Sequence, residues 1–273
     1  MSSIIFIRGF NSYKDDHIHF GPIDLGLAHT QLEAEFSKDN FSFYALTAMG
    51  LGSPEEQIEK ANLQIQQLYQ QGLLRDDVHL LGYSAGGVTA RGLAHKIKNE
   101  IQINLKSVIT LTAPNFGSEV AESIFRKNSN TDKIQGDKFT SKIYQFLEKK
   151  IPEQDTRLRQ IKYWRRENIL EFNQKYPNLP DIEYASITSA INLADMPFLL
   201  KWLRKWHRVS EFPSDGIVEL KSQPWGRVLN HFELDHGAVI GLKTVPSSKK
   251  HQKNLIKFRE IVQSTVTFIN SIK

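Results

Sequence analysis

Four short runs of apolar residues, each closed by Gly or Pro, punctuate the chain as far as Pro114. They are Ile4-Ile5-Phe6-Ile7, Phe41-Ser42-Phe43-Tyr44-Ala45-Leu46, Val78-His79-Leu80-Leu81 and Val108-Ile109-Thr110-Leu111. Runs of that length with little polar alternation predict strands covered on both faces. Helical periodicity fills the gaps between them, over 25–36, from Ser53 to about Tyr69, and over 85–97. The second helix carries its own start signal, with Ser53 as N-cap and Pro54 in the first turn. Strand and helix alternating in this way predict right-handed βαβ units, hence an α/β fold whose mostly parallel sheet is flanked by helices.

The rhythm changes after Pro114. Residues 116–180 are polar, rich in Lys, Gln, Arg and Asn, and hold helical patterns but no strand signal before Ile182-Glu183-Tyr184-Ala185-Ser186-Ile187. The stretch reads as a helical insertion, either an excursion at the sheet edge or a cap over the carboxyl ends of the strands. A helix from about Lys253 to Ile272 closes the chain. No internal repeat is visible, and the expectation is one domain over 1–273.

Composition narrows the chemistry. The 273 residues contain no Cys, which excludes a disulfide framework, a zinc ribbon, an iron–sulfur site and a thiol nucleophile together. The 35 Lys and Arg are offset by 30 Asp and Glu, so nothing here suggests a nucleic-acid binder. The start, Met1-Ser2-Ser3-Ile4-Ile5-Phe6-Ile7-Arg8, lacks the basic and apolar regions of a signal peptide, and no stretch is long enough to span a membrane. The expected setting is cytoplasmic, with signal-independent export left open.

The most informative segment is Gly82-Tyr83-Ser84-Ala85-Gly86, because a buried strand precedes this Gly-x-Ser-x-Gly and a helical pattern follows it. A strand-to-helix turn of that kind lifts the Ser84 hydroxyl above the sheet. Glycines at 82 and 86 remove side chains that so tight a passage would reject. A serine hydroxyl needs a base, and the base needs an acid to hold its tautomer. In this arrangement they follow in the order Ser, acid, His. Asp215, in the turn Ser214-Asp215-Gly216, is the candidate acid, ahead of Asp195, which suits a helix N-cap, and Asp181, at the wrong end of a strand. His236, in Asp235-His236-Gly237, is the candidate base, with His231 as its rival. Two backbone N–H groups, of Phe10 in the loop after the first strand and of Ala85 after the nucleophile, are the candidate oxyanion donors.

Several segments together resemble the α/β-hydrolase lipases, in particular bacterial triacylglycerol lipases and related esterases. The resemblance rests on Ile5-Phe6-Ile7-Arg8-Gly9-Phe10, the Gly82–Gly87 elbow, Leu111-Thr112-Ala113-Pro114-Asn115-Phe116-Gly117-Ser118, Ser214–Val218 with Ser222-Gln223-Pro224-Trp225-Gly226, and Asp235-His236. It implies Ser84, Asp215 and His236 as a triad that cleaves carboxylic esters, acyl lipids above all, through an acyl-enzyme without a cofactor. Arg8, Tyr83 and Asn115 stand where the family has His, so the surroundings of the site differ while the triad types remain. Some of these lipases hold calcium near the catalytic His; Asp235 alone does not establish a metal site here.

One more segment stands out. Over 195–209, Leu199, Trp202, Leu203, Trp206 and Val209 fall on one helical face and Lys201, Arg204, Lys205 and Arg208 on the other. Asp195 and Pro197 are placed to start such a helix. It reads as a surface helix packed on the body or as a lid and peripheral membrane contact, in which Trp202 and Trp206 enter the interface and the four cations meet anionic headgroups. The competing functional readings are a thioesterase or amidase with the same triad, and a hydrolase-like membrane or protein binder without activity.

Overall fold

The computed structural model describes residues 2–9, 17–20, 23–47, 52–74, 77–126, 161–207, 209 and 211–272. Six strands, β1 (Ser2–Ile7), β4 (Ser42–Ala45), β5 (Asp77–Tyr83), β6 (Asn104–Leu111), β7 (Glu183–Ser189) and β8 (Arg227–Phe232), form one sheet in the order β4-β1-β5-β6-β7-β8. Every neighbouring pair is parallel. Two further strands, β2 (His17–Phe20) and β3 (Ile23–Leu27), pair antiparallel apart from it.

Alternation along each strand sorts the apolar side chains onto two faces. Ile4, Phe6, Leu81, Ile109 and Ile187 meet α1 (Thr30–Phe36) and the long α7 (Ser248–Ser271) through Leu32, Phe36, Phe258, Ile261 and Val262. Ile5, Ile7, Leu80 and Val108 meet α2 (Pro54–Gln70), α3 (Ala85–Glu100) and α5 (Arg166–Lys175) through Ile58, Ile65, Val88, Leu93, Ile169 and Phe172. The sheet is thus sandwiched, as a parallel sheet must be. Helix α2 starts where its sequence says it should. Ser53 Oγ accepts from the Glu56 N–H while the Glu56 carboxylate accepts from the Ser53 N–H, a reciprocal capping box.

Three expectations need correction. The helical pattern over 25–36 yields a helix only from Thr30, because Gly26 takes φ +90° inside β3, a conformation a right-handed helix does not admit. The helix expected over 195–209 is α6, Phe198–Trp206, with Pro197 at the cap position in an extended conformation and no side-chain cap. Asp195 does not cap it. Lys250 reaches both the Asp195 carbonyl oxygen, at 2.8 Å, and its carboxylate, at 3.2 Å. Strand β8 was not foreseen; as the edge strand it is largely exposed and shows no apolar run. Of the polar stretch 116–180, α4 (Glu119–Arg126) and α5 are described, and 127–160 lie outside the described residues.

Candidate active site

Strand β5 ends at Tyr83, and α3 begins at Ala85, leaving Ser84 alone to make the turn. Its φ of +54° and ψ of −130° lie far from any relaxed region for a residue with a side chain, and such strain persists only when the surroundings fix it. Here the surroundings are steric. A Cβ on Gly86 would overlap the carbonyl oxygen of Ile7 in β1, so α3 can lie this close to β1 only with glycine there. A Cβ on Gly9 would stand 2.6 Å from the Cβ of Ser84, so the chain leaving β1 passes directly against the Ser84 side chain. The Ser84 N–H donates to the Leu111 carbonyl at 2.9 Å, fastening the turn to the end of β6.

His236 and Asp215 arrive from loops at the same end of the sheet. Ser84 Oγ lies 2.9 Å from His236 Nε2, and His236 Nδ1 lies 2.6 Å from Asp215 Oδ2. The Asp215 side chain is fully buried. Its other oxygen accepts from the N–H groups of Ile217, at 2.9 Å, and Val218, at 2.8 Å, so one oxygen is occupied by the loop and the other is left for the imidazole. The two loops are also joined through the main chain, the His236 N–H donating to the Asp215 carbonyl at 2.8 Å. The rivals lie elsewhere. His231 is exposed on β8 with its Nδ1 3.1 Å from Thr188 Oγ1, Asp181 pairs with Lys98 at 3.1 Å, and Asp195 pairs with Lys250.

Tyr83, which stands beside Ser84, packs its ring on that of His236 with centroids 4.9 Å apart, and its hydroxyl donates to the His236 carbonyl at 3.0 Å. Burial first, then the nearby carboxylates Asp215 and Asp235, push the phenol well above its usual range, so it remains a donor. Asp235 is buried next to His236 and accepts from Thr244 Oγ1, at 2.7 Å, and from the Ala238 N–H, at 3.2 Å. Burial is the main reason its carboxyl sits above the normal range. With both oxygens engaged it shapes the His236 loop, and among the described residues no group of His, Asp and Glu is arranged to hold a metal ion. Thr112, just after β6, also takes a positive φ, +45°, and brings its hydroxyl to 3.5 Å from His236 Nδ1. Sequence reasoning found no role for Tyr83 or Thr112; a β-branched residue at positive φ leaves no local signal.

Of the two oxyanion candidates, Ala85 opens α3, where the first N–H groups have no partner inside the helix and carry the positive end of its dipole. Phe10 lies outside the described residues, as do Arg208 and the side chain of Trp206. The amphipathic helix requires one correction. Arg204 was expected on the charged outer face, yet it is 1% exposed. It pairs with the equally buried Glu219 at 3.2 Å and donates to Ser214 Oγ at 2.9 Å and to the carbonyls of Val209 and Phe212. A guanidinium with that many acceptors beneath it gains more by turning inward than by facing water. Arg204 therefore ties α6 to the loop that carries Ser214 and Asp215, and it does not face the surface.

Comparison with known proteins places this architecture. The family model of palmitoyl protein thioesterase matches residues 33–254, a span holding Ser84, Asp215 and His236. The chain belongs to that family. A curated relative, triacylglycerol lipase 2 of Saccharomyces cerevisiae, is 27% identical over 201 residues, which are 71% of this chain and 56% of that lipase, so the match spans little more than half of the relative. Among solved structures, a metagenomic carboxyl esterase superposes with a TM-score of 0.68 at 12% identity, covering 98% of this chain and 75% of the esterase. The Staphylococcus hyicus lipase gives 0.64 at 16% identity, covering 98% and 96%. Likeness at these identities establishes the fold, which is that of the α/β-hydrolases, and the palmitoyl protein thioesterase match is what narrows the family within it.

Proposed function

We propose that this chain is a serine hydrolase of acyl carboxylic esters, lipids among them. The observation that carries the reading is the unbroken relay from Ser84 Oγ through His236 to a buried Asp215, at 2.9 and 2.6 Å, on a strained strand-to-helix turn. In the reaction, Ser84 Oγ attacks the ester carbonyl carbon while His236 Nε2 takes its proton. The Ala85 N–H, with that of Phe10, receives the negative oxygen. Collapse breaks the bond to the alcohol, which leaves with the proton from His236. Water, deprotonated in turn by His236, then attacks the acyl-enzyme and releases the acid, returning the proton to Ser84. Asp215 keeps the Nδ1 proton in place and stabilises the imidazolium. No cofactor takes part in this scheme.

A thioester substrate is the second reading, favoured by the palmitoyl protein thioesterase match. The same steps apply with a thiol as the leaving group. Parallel rates on p-nitrophenyl acyl esters, acyl-coenzyme A thioesters and acyl anilides, with Ser84→Ala as the control, test both. Ester turnover that disappears in Ser84→Ala is the expected result. Thioester rates exceeding ester rates at equal chain length favour the second reading, and turnover that survives Ser84→Ala contradicts both.

Lipid substrates also call for a surface that meets them. Phe198, at the start of α6, is 80% exposed, with Lys201, Trp202 and Lys205 on the same short helix. We propose a peripheral membrane contact at this helix, through Phe198, Trp202, Lys201 and Lys205, with Arg204 turned inward. Sedimentation with anionic vesicles at low salt is expected to carry the protein down and to weaken in Phe198→Ser. Equal binding by the variant counts against this placement.

A further inference from the structure

We infer that Gln223 is a positioning residue that sets the alignment of Asp215 with His236, an inference that rests on the triad reading above. Strand β6 stops before β7 does. The last rung between them is the Thr112 N–H to the Ile187 carbonyl, at 3.0 Å, and two residues on, Ser189 presents a buried N–H and C=O on that side with no strand to receive them. The Gln223 carboxamide takes the strand's place. Its Oε1 accepts from the Ser189 N–H at 2.6 Å, and its Nε2 donates one hydrogen to the Ser189 carbonyl at 2.8 Å. The other Nε2 hydrogen goes to the Val218 carbonyl at 2.9 Å. The side chain is fully buried, and each of its polar positions is used.

Both ends of that amide lead to the site. Val218 belongs to the acid loop; its N–H donates to Asp215 Oδ1 at 2.8 Å, and its carbonyl accepts from the Asp215 N–H at 3.3 Å. Ser189 leads to the base. Its Oγ–H lies 2.8 Å from the carbonyls of both Phe232 and Leu234 and shares its one hydrogen between them, while the oxygen accepts from the Leu234 N–H at 3.1 Å, two residues before His236. The backbone of Gln223 extends the network to the nucleophile's helix. Its carbonyl accepts from Asn115 Nδ2 at 2.7 Å, and Asn115 Oδ1 accepts from Arg91 of α3 at 3.3 Å. Arg91 is itself held, by Asn173 at 2.7 Å and by stacking 3.2 Å from the centroid of the Trp225 ring. Gln223 therefore bridges the acid loop and the segment leading to the base, and through Asn115 it reaches the nucleophile's helix at Arg91. Asn115, which stands where the resembling lipases carry His, is the amide that completes this bridge.

The chemistry of the amide matters. A carboxylate at 223 keeps the acceptor for the Ser189 N–H but turns an oxygen toward the carbonyls of Ser189 and Val218, where two donors are needed. Methionine keeps the volume and makes no hydrogen bond. Because buried polar groups left unpaired are costly, either change displaces the two loops relative to one another, and displacements near 1 Å at a reacting pair cost on the order of 10²-fold in rate.

The test compares wild type, Gln223→Met, Gln223→Glu and Ser189→Ala, the last as a milder change that leaves the Gln223 bonds in place and cuts the hydroxyl's links to Phe232 and Leu234. Two measurements are made on folded, soluble protein: kcat and KM on an acyl ester, and the downfield proton resonance of the Asp215–His236 hydrogen bond by NMR. The expected result is a fall in kcat of about 10²-fold in both Gln223 variants, with KM changed by less than about 3-fold. The imidazole proton resonance moves or broadens, more in Gln223→Glu than in Ser189→Ala. A merely structural role lowers the melting temperature and leaves kcat and the resonance of the folded fraction where they were, and that outcome overturns the inference. If neither Gln223 variant folds, an unmoved resonance and kcat in Ser189→Ala overturn it as well. The resonance requires no turnover, so an inactive wild type sinks the functional reading while the NMR comparison still decides the role of Gln223.

Discussion

The two sides of this site are built by different physics. On the Ser84 side, β1, β5, β6 and α3 hold the serine by contact. Glycines admit backbones to within van der Waals distance of one another, and the serine takes its strained conformation because no other path is open. On the other side, β7 and β8 lead into loops where Asp215 and His236 are held by hydrogen bonds from Val218, Ile217, Tyr83 and the residues around them. Steric positioning is stiff and intolerant of added atoms; positioning by hydrogen bonds tolerates changes of shape and fails when a donor or acceptor is lost. The difference teaches where each kind of substitution will be felt.

The largest effect is expected on the hydrogen-bonded side with the smallest change in shape. Asp215→Asn keeps an oxygen for the N–H groups of Ile217 and Val218 but presents an amide donor to His236, favouring the wrong tautomer. A loss of about 10⁴ in kcat is expected with the melting temperature nearly unchanged. Steady-state kinetics beside a thermal melt checks it. On the steric side, Gly86→Ala is expected to do the reverse, costing about 3 kcal/mol of stability, since the added methyl overlaps the Ile7 carbonyl and neither backbone can yield. Denaturant unfolding measures that cost; a wild-type midpoint would show that the elbow is looser than its contacts imply.

Acid sensitivity separates the sheet from the loops. His79, buried in β5 with Nδ1 2.8 Å from Ser107 Oγ, is held neutral by burial, its pKa lowered from 6.5 to about 4. Its folded pKa is depressed, so its contribution to stability is complete above pH 6.5 and is lost as pH falls toward 4, by about 3 kcal/mol. Asp235 and Glu219, raised mainly by burial, act with the opposite sign. The comparison is therefore made by difference. His79→Asn keeps an acceptor or donor for Ser107 and removes the titration, and its stability is expected to fall less than that of wild type between pH 6.5 and 4. Parallel pH dependences would contradict this. The smallest effect is expected for Tyr83→Phe, which removes one hydrogen bond to the His236 carbonyl and keeps the ring stacked on the imidazole. About 1 kcal/mol, or a several-fold loss in kcat, is the expected scale.

The same division marks what could be read from the chain. Strands β1, β5 and β6 and the turn at Ser84 were legible because their determinants are local, continuous apolar runs and a glycine-flanked serine between strand and helix. Ser53 and Pro54 announced α2 for the same reason. Strand β8 was not legible, since an exposed edge strand has no run of apolar residues to reveal it. Arg204 was placed on a solvent face because helical periodicity assigns sides without knowing what lies beneath; Glu219, fifteen positions on, is what turns it inward. Gly26 warned against a helix across 25–36 only once its positive φ was known. Gln223 lies in the segment 222–226 that carries part of the resemblance, but nothing local marked its positioning role, which depends on where β6 ends relative to β7. Asp215 and His236 were legible from their chain order and their turns, whereas Arg204 and Gln223 depend on partners that distant segments bring to them.

Every step of the proposed reaction requires Ser84 to be an activated nucleophile. Incubation of folded protein with a fluorophosphonate, with and without vesicles, followed by peptide mass mapping, tests this without a choice of substrate. The expected result is a single adduct on Ser84, formed rapidly in wild type and far more slowly in Asp215→Asn. A folded protein that gains no adduct under either condition, or gains it on another serine, contradicts the account.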